Sequence, residues 1–252
     1  MGRAIASLSV LDNETKQLVA DVVVLATQPG TGEVSERPRH TLEMVALFDR
    51  CRGLFGAARL LAQHGFGQEA LILTRPMFTE SLMLLEVASA DETRRVELVV
   101  GYALATLADF EGILLEARTR GDDVSQELAA VAKRRASLEG YARRHNARTR
   151  RWRVNEKDLA DKHVGGEGYL DFRMAHHFVH GSAFAGEQRL SRLEDVVVVG
   201  NPPSQDWARG AVLSASQSMV FAVRGICGIL GWPEPPSVPD LLARINQLAD
   251  HS

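Results

Sequence analysis

Apolar positions recur three or four residues apart along almost the whole chain, and the strict alternation of strands is nearly absent. The pattern predicts a first helix over Ala4–Ala26, closed by Gln28-Pro-Gly-Thr-Gly32. A second runs over His40–His64, with Leu42, Val45, Leu47, Phe48, Leu54, Phe55 and Leu60 as its apolar positions, and Gly65-Phe-Gly67 ends it. A third, over Gln68–Ala88, is apolar on nearly every side, as expected at the centre of a bundle. Asp91 caps a fourth helix reaching Arg118, and Gly121-Asp-Asp starts a fifth over Val124–Arg153. The polar stretch Asn155–Gly168 reads as a loop or short helix, and a further helix covers Tyr169–Glu187. Asp195-Val-Val-Val-Val-Gly200 is the one extended segment; helices over Asp206–Leu230 and Val238–Ala249 close the chain. The expectation is an all-α fold, a multi-helix bundle with one short extended segment or β-hairpin near residues 190–200. It forms a single domain over 1–252: N-terminal helix and loop to 37, bundle core over 38–230, tail helix over 231–252.

Composition narrows the function classes. The net charge of −3 excludes a wholesale electrostatic attraction to nucleic acid or membrane, so any such role needs a local patch. Of 29 basic residues only Lys16, Lys133, Lys157 and Lys162 are lysines; arginine is the better phosphate ligand. Cys51 and Cys227 lie far apart in apolar contexts and read as buried free thiols. Asp12, Glu14 and Lys16 break the first apolar run, which therefore does not make a signal peptide, and no uncharged apolar run reaches spanning length. A cytoplasmic location without membrane contact is the expectation.

The chemistry concentrates in Tyr169-Leu-Asp-Phe-Arg173-Met-Ala-His176-His177-Phe-Val-His180-Gly181. At about 100° per residue, Tyr169, Arg173, His176, His177 and His180 share one side of a helix. Phe172, Ala175, Val179 and Ala183 line another side. Three uses fit such a stripe. The histidines can be hydrogen-bonded core or capping groups. His176 and His180 have the i, i+4 spacing of zinc ligands, although Arg173 would repel a cation and no Glu follows His176 as in zinc proteases. Or an arginine holds a phosphodiester while a histidine moves protons to and from ribose oxygens, with no metal. On the third predicted helix, Arg75 and Glu80 sit among apolar residues and each requires a partner from a neighbouring helix, or orients a group in a shared site; Pro76 favours a kink there.

Arg173 and His180, with six residues between them, resemble the arginine–x4–6–histidine motif of the HEPN superfamily of bacterial toxin and defence ribonucleases. The wider layout also resembles a bacterial family of undefined function: Arg75 and Glu80 with four residues between them on a leucine-rich helix, Tyr169 before His180-Gly181, then an extended segment and a final helix. The resemblance implies a helical, dimeric, metal-independent endoribonuclease of toxin or phage-defence type with no cofactor. Arg173 then stabilises the phosphate and His180 acts as base or acid. His176 or His177 assists, and Tyr169, Glu80 and Arg75 orient them. RNA and a protein partner or antitoxin are the implied partners, and a homodimer the implied assembly. The residue after the arginine, polar in those nucleases, is Met174 here, so a neighbouring histidine supplies the polarity or the site is degenerate. The readings from other classes are a non-catalytic helical interaction or nucleotide-binding module, and a histidine-ligated, metal-dependent hydrolase.

A basic run, Lys133-Arg-Arg, Arg143-Arg-His and Arg148-Thr-Arg-Arg-Trp152-Arg, supplies a candidate RNA surface. On a helix continued to Arg153, Arg143, Arg144, Arg148 and Arg151 gather on one exposed side, with Trp152 free to stack on a base. The alternative is a solvated face neutralised by Glu127, Glu139, Glu156 and Asp158.

Overall fold

The computed structural model describes residues 11–28, 37–166, 168–169, 172–173, 175, 190–193, 196–199 and 204–250. Eight helices form among them: α1 (Asn13–Thr27), α2 (Arg39–Gln63), α3 (Gly67–Ser89), α4 (Glu92–Thr119), α5 (Ser125–Arg144), α6 (Glu156–Val164), α7 (Gln205–Leu230) and α8 (Val238–Asp250). The fold is all-α, as the periodicity predicts. Four starts are set by side-chain caps: Asp12, Asp91, Asn155 and Ser204 accept from the backbone N–H three residues on, each worth about 1 kcal/mol. Asp12 has extended backbone angles, so α1 begins at Asn13 rather than at Ala4. The largest departure is α5. It ends at Arg144, where His145 and Asn146 (φ 53°) turn the chain back, instead of continuing to Arg153.

The core is built on α3 and α7, which pack along their lengths with α2 against both; α1 and α8 cover the other side of α7. Leu84, Met83, Val87, Met219, Val220 and Ile226 are fully enclosed between them. By length and composition α4 and α7 could cross a membrane; 89% of the apolar window of α7 lies inside the bundle, so the core accounts for its apolarity. The expected extended segment is strand β2 (Val196–Val199). It pairs antiparallel with β1 (Leu190–Leu193), Leu190 opposite Val199, as a hairpin within the chain.

The α4–α5 pair forms a second, smaller packing unit around Val96, Val100, Leu104, Leu138, Tyr141 and Ala142. Polar contacts fasten it to α2. His40, buried at the start of α2, has Nδ1 2.9 Å from the Tyr141 hydroxyl and Nε2 3.2 Å from a Glu92 carboxylate oxygen. Arg134 bonds Glu43 at 2.6 Å, and Arg39 bonds Ser137 at 3.0 Å. The short α6 is held on α3 by Glu86, which takes bonds from Lys162 and from His163 (2.6 Å).

Candidate functional site

Two recesses lie side by side where the chain leaves α5 and crosses α4. The first, of about 250 Å³, is lined by Arg50 of α2, Arg75, Pro76, Thr79 and Glu80 of α3, Tyr102 of α4 and Glu156 at the start of α6. Glu80 is 2% exposed; one carboxylate oxygen lies 2.7 Å from Arg50 Nη1 and the other accepts a long contact from Cys51 Sγ at 3.5 Å. Burial pushes the Glu80 carboxyl up, and Arg50 only partly offsets this, so it stays above the ordinary glutamate value. Burial, and then the Glu80 charge, drives the Cys51 thiol well up and the Tyr102 phenol up. The Thr79 hydroxyl reaches Glu156 Oε1 at 3.1 Å. The partner that Glu80 requires on a neighbouring helix is thus Arg50. Sequence reasoning missed Arg50 because it stands between Asp49 and Arg52 and reads as solvent face. It also missed Tyr102 and Glu156.

Arg75 links this recess to the histidine-bearing segment. Its guanidinium carbon lies 5.7 Å from the ring centroid of Phe172, within cation–π range. Phe172 is buried against Phe78, ring centroids 5.7 Å apart, and Ala175 is fully enclosed, while Arg173 is exposed. Apolar and basic positions therefore separate as the helical pitch predicts, over the part of the segment described. Tyr169 departs from that partition: it is half-buried, with its ring stacked on Phe172 at 5.9 Å. Aromatic packing draws it toward the apolar cluster. His176, His177 and His180 lie outside the described residues, as does Met174.

The second recess, about 380 Å³, is lined by Arg94, Glu97, Arg148, Arg150, Arg151, Trp152 and Arg153. Its wall is the irregular segment after α5, laid along α4. The Trp152 N–H donates to the Gly101 carbonyl at 3.0 Å, and the Arg148 N–H donates to Glu97 Oε1 at 3.1 Å. A side chain at Gly101 would place its Cβ 2.5 Å from the Arg150 carbonyl and 2.9 Å from Trp152 Cβ, so only glycine allows this approach. Arg94 Nη1 bonds the other Glu97 oxygen at 3.0 Å. The Arg148 N–H and then Arg94 hold the Glu97 carboxyl below its ordinary range.

The predicted basic surface is therefore reorganised. Arg148, Arg151 and Trp152 enter this recess, joined by Arg94, Arg150 and Arg153. Arg143 and Arg144 stay on the last turn of α5, where Arg144 lies 5.9 Å from the Tyr141 ring. Trp152 is not free: half-buried, it packs against the main core and against the Phe78–Phe172 cluster. Tyr102 of the first recess follows Gly101, and Glu156 follows Trp152 by four residues, which sets the two recesses next to each other.

The profile of a family of unknown function, DUF5677, matches residues 44–196, more than half of the chain, and the protein belongs to that family. The match spans both recesses and the histidine-bearing segment. No curated protein and no solved structure matches the chain.

Proposed function

We propose that this DUF5677 protein is a HEPN-like, metal-independent endoribonuclease of toxin or phage-defence type, cytoplasmic and acting as a homodimer. The observation that carries the reading is the position of Arg75. Two motifs about a hundred residues apart in sequence meet where its guanidinium covers Phe172, immediately before the exposed Arg173. Arg75 thus lies over Phe172, next in sequence to Arg173 and a few residues before His176, His177 and His180. In the proposed reaction Arg173 binds the scissile phosphate and offsets charge on its pentacoordinate state. His180 takes the ribose 2′-hydroxyl proton as the 2′-oxygen attacks phosphorus, and His176 or His177 protonates the departing 5′-oxygen. The products are a 2′,3′-cyclic phosphate and a 5′-hydroxyl.

A non-catalytic nucleotide-binding or interaction module is the second reading, favoured by Glu80, whose two oxygens are already engaged by Arg50 and Cys51. RNA incubated with EDTA and with wild type, Arg173→Ala or His180→Ala protein separates the two. EDTA-resistant cleavage that drops at least about a hundredfold in either variant, the range for loss of a general base, is the expected result. Cleavage abolished by EDTA, or none by any protein, overturns the proposal.

A further inference from the structure

We infer that the arginine-lined recess beside α4 recognises a single phosphorylated nucleoside unit with an unpaired base, phosphates on Arg148, Arg150 and Arg151 and the base against the indole of Trp152. The recess has five guanidinium groups and one carboxylate. That carboxylate, Glu97, bonds Arg94 and the Arg148 N–H and also attracts the Arg148 side chain, but it is one negative charge against five guanidinium groups, so the recess keeps a net positive charge. Arg153 pairs with Asp109. Arg148, Arg150 and Arg151 are exposed, and none makes a side-chain ion pair with a carboxylate among the described residues. Three like charges thus share a recess whose one carboxylate is Glu97.

The wall that carries them is preorganised. It is bonded to α4 at Gly101 and Glu97 and anchored by Trp152 in two hydrophobic clusters, so ligand binding does not have to order it. Anchoring also holds Trp152 in place in the lining of the recess, beside the guanidinium cluster. Phosphate recognition by arginine beside an aromatic face is the chemistry of a nucleotide or of single-stranded nucleic acid. A volume of about 380 Å³ falls in the range of one small-molecule site and takes one nucleotide unit, not the groove of a duplex. A paired base is stacked within its helix and cannot reach a half-buried indole. Two sources offer the same unit: a free nucleotide, or an unpaired position of an RNA strand. The second source rests on the nuclease reading; the first does not.

Binding is measured on the His180→Ala protein, so that failure of the cleavage chemistry leaves the result readable. The probes are a fluorescein-labelled single-stranded RNA of about ten nucleotides, followed by anisotropy, its duplex form, ADP and inorganic pyrophosphate. The expected result is binding of the single strand or of ADP that falls at least about tenfold in Arg148→Ala/Arg150→Ala/Arg151→Ala, all exposed positions, with unchanged circular dichroism. Quenching of indole emission, lost in Trp152→Phe, accompanies it. ADP binding that displaces the strand assigns a free nucleotide or strand end; strand binding that resists ADP assigns an internal nucleotide. Equal affinity for the duplex, pyrophosphate competing as well as ADP, binding indifferent to the triple substitution, or no binding of either probe overturns the assignment.

Discussion

Replacing Arg50 with alanine tests whether the Glu80 carboxylate is a buried charge held by one external partner. Glu80 is 2% exposed and its closest charge is Arg50 Nη1 at 2.7 Å, whereas Arg50 itself is about 60% exposed. Removing one member of a fully buried pair costs about 3–5 kcal/mol. The outer half of this pair is in water, which reduces that figure. A second limit comes from protonation. Once Arg50 is gone, Glu80 can take up a proton instead of remaining charged. Carrying a carboxyl of ordinary pKa 4.5 in protonated form at pH 7 costs about 2.5 pH units at about 1.36 kcal/mol each, a ceiling of about 3.4 kcal/mol. Because Glu80 already lies above that value in the folded protein, the ceiling is lower, and the expected loss at pH 7 is about 2 kcal/mol. For a chain of this size that is a fall in Tm of about 4–8 °C. As pH falls toward the ordinary glutamate value of 4.5, the carboxyl, raised above it, takes up its proton with or without Arg50, and the loss shrinks to about 1 kcal/mol or less. Urea or thermal unfolding of wild type and Arg50→Ala at both pH values reads the difference, with Glu80→Gln as background. In that background Arg50→Ala costs less than about 1 kcal/mol. A cost independent of pH, or undiminished by Glu80→Gln, refutes the reasoning.

Gly101→Val drives a methyl into the Arg150 carbonyl and Trp152, and is expected to cost about 1–3 kcal/mol in unfolding experiments while weakening nucleotide-probe binding more than Gly112→Val, which meets open space. Burial holds the His40 imidazole below its ordinary value of 6.5, outweighing the pull of Glu92, so the unfolded chain binds that proton more readily than the folded one. The contribution of His40 is fully present above about pH 6.5 and is lost as pH falls through its lowered value; a Tm series from about pH 7.5 to 5.5 shows it as a slope that flattens in His40→Gln. Glu80, raised instead, contributes the opposite slope above 4.5, which is why each titration is read against its own variant.

Helix periods, caps and breakers were legible because each depends on neighbours in sequence: Asp91 and Ser204 cap the helices that follow them, and Gly65 stops α2. The requirement that Glu80 find a partner was legible too, since an unpaired buried carboxylate is too costly to keep. Its identity was not. Arg50 is one of several charged residues on α2, and only packing of α2 on α3 selects it. The same limit hid His40–Tyr141, two residues 101 apart joined by one hydrogen bond. Trp152 was misjudged because the basic run reads as one helix when Arg143 to Arg153 is scored by composition; Asn146 in the left-handed region, which asparagine tolerates better than most residues, is the signal that could have ended α5.

That early ending is also what makes the arginine recess. On a continued helix, Arg150, Arg151 and Arg153 would stand about 200°, 300° and 140° round the axis from Arg148 and point their charges to different sides. The irregular segment bonded at Glu97 and Gly101 instead brings all three, together with Arg94, into the lining of one recess. The consequence is electrostatic. A chain of net charge −3 gives a phosphate no long-range attraction, and charges more than about 8–10 Å apart are screened at physiological salt. Five guanidinium groups line one recess, so local gathering, not total charge, sets the affinity. If the one or two phosphates of a single strand unit release their counterions, log Kd changes with log salt by a slope of about 0.7–1.4. The Arg148/Arg150/Arg151 triple alanine variant should remove most of that slope. A slope retained in the variant would place the anion elsewhere on the protein.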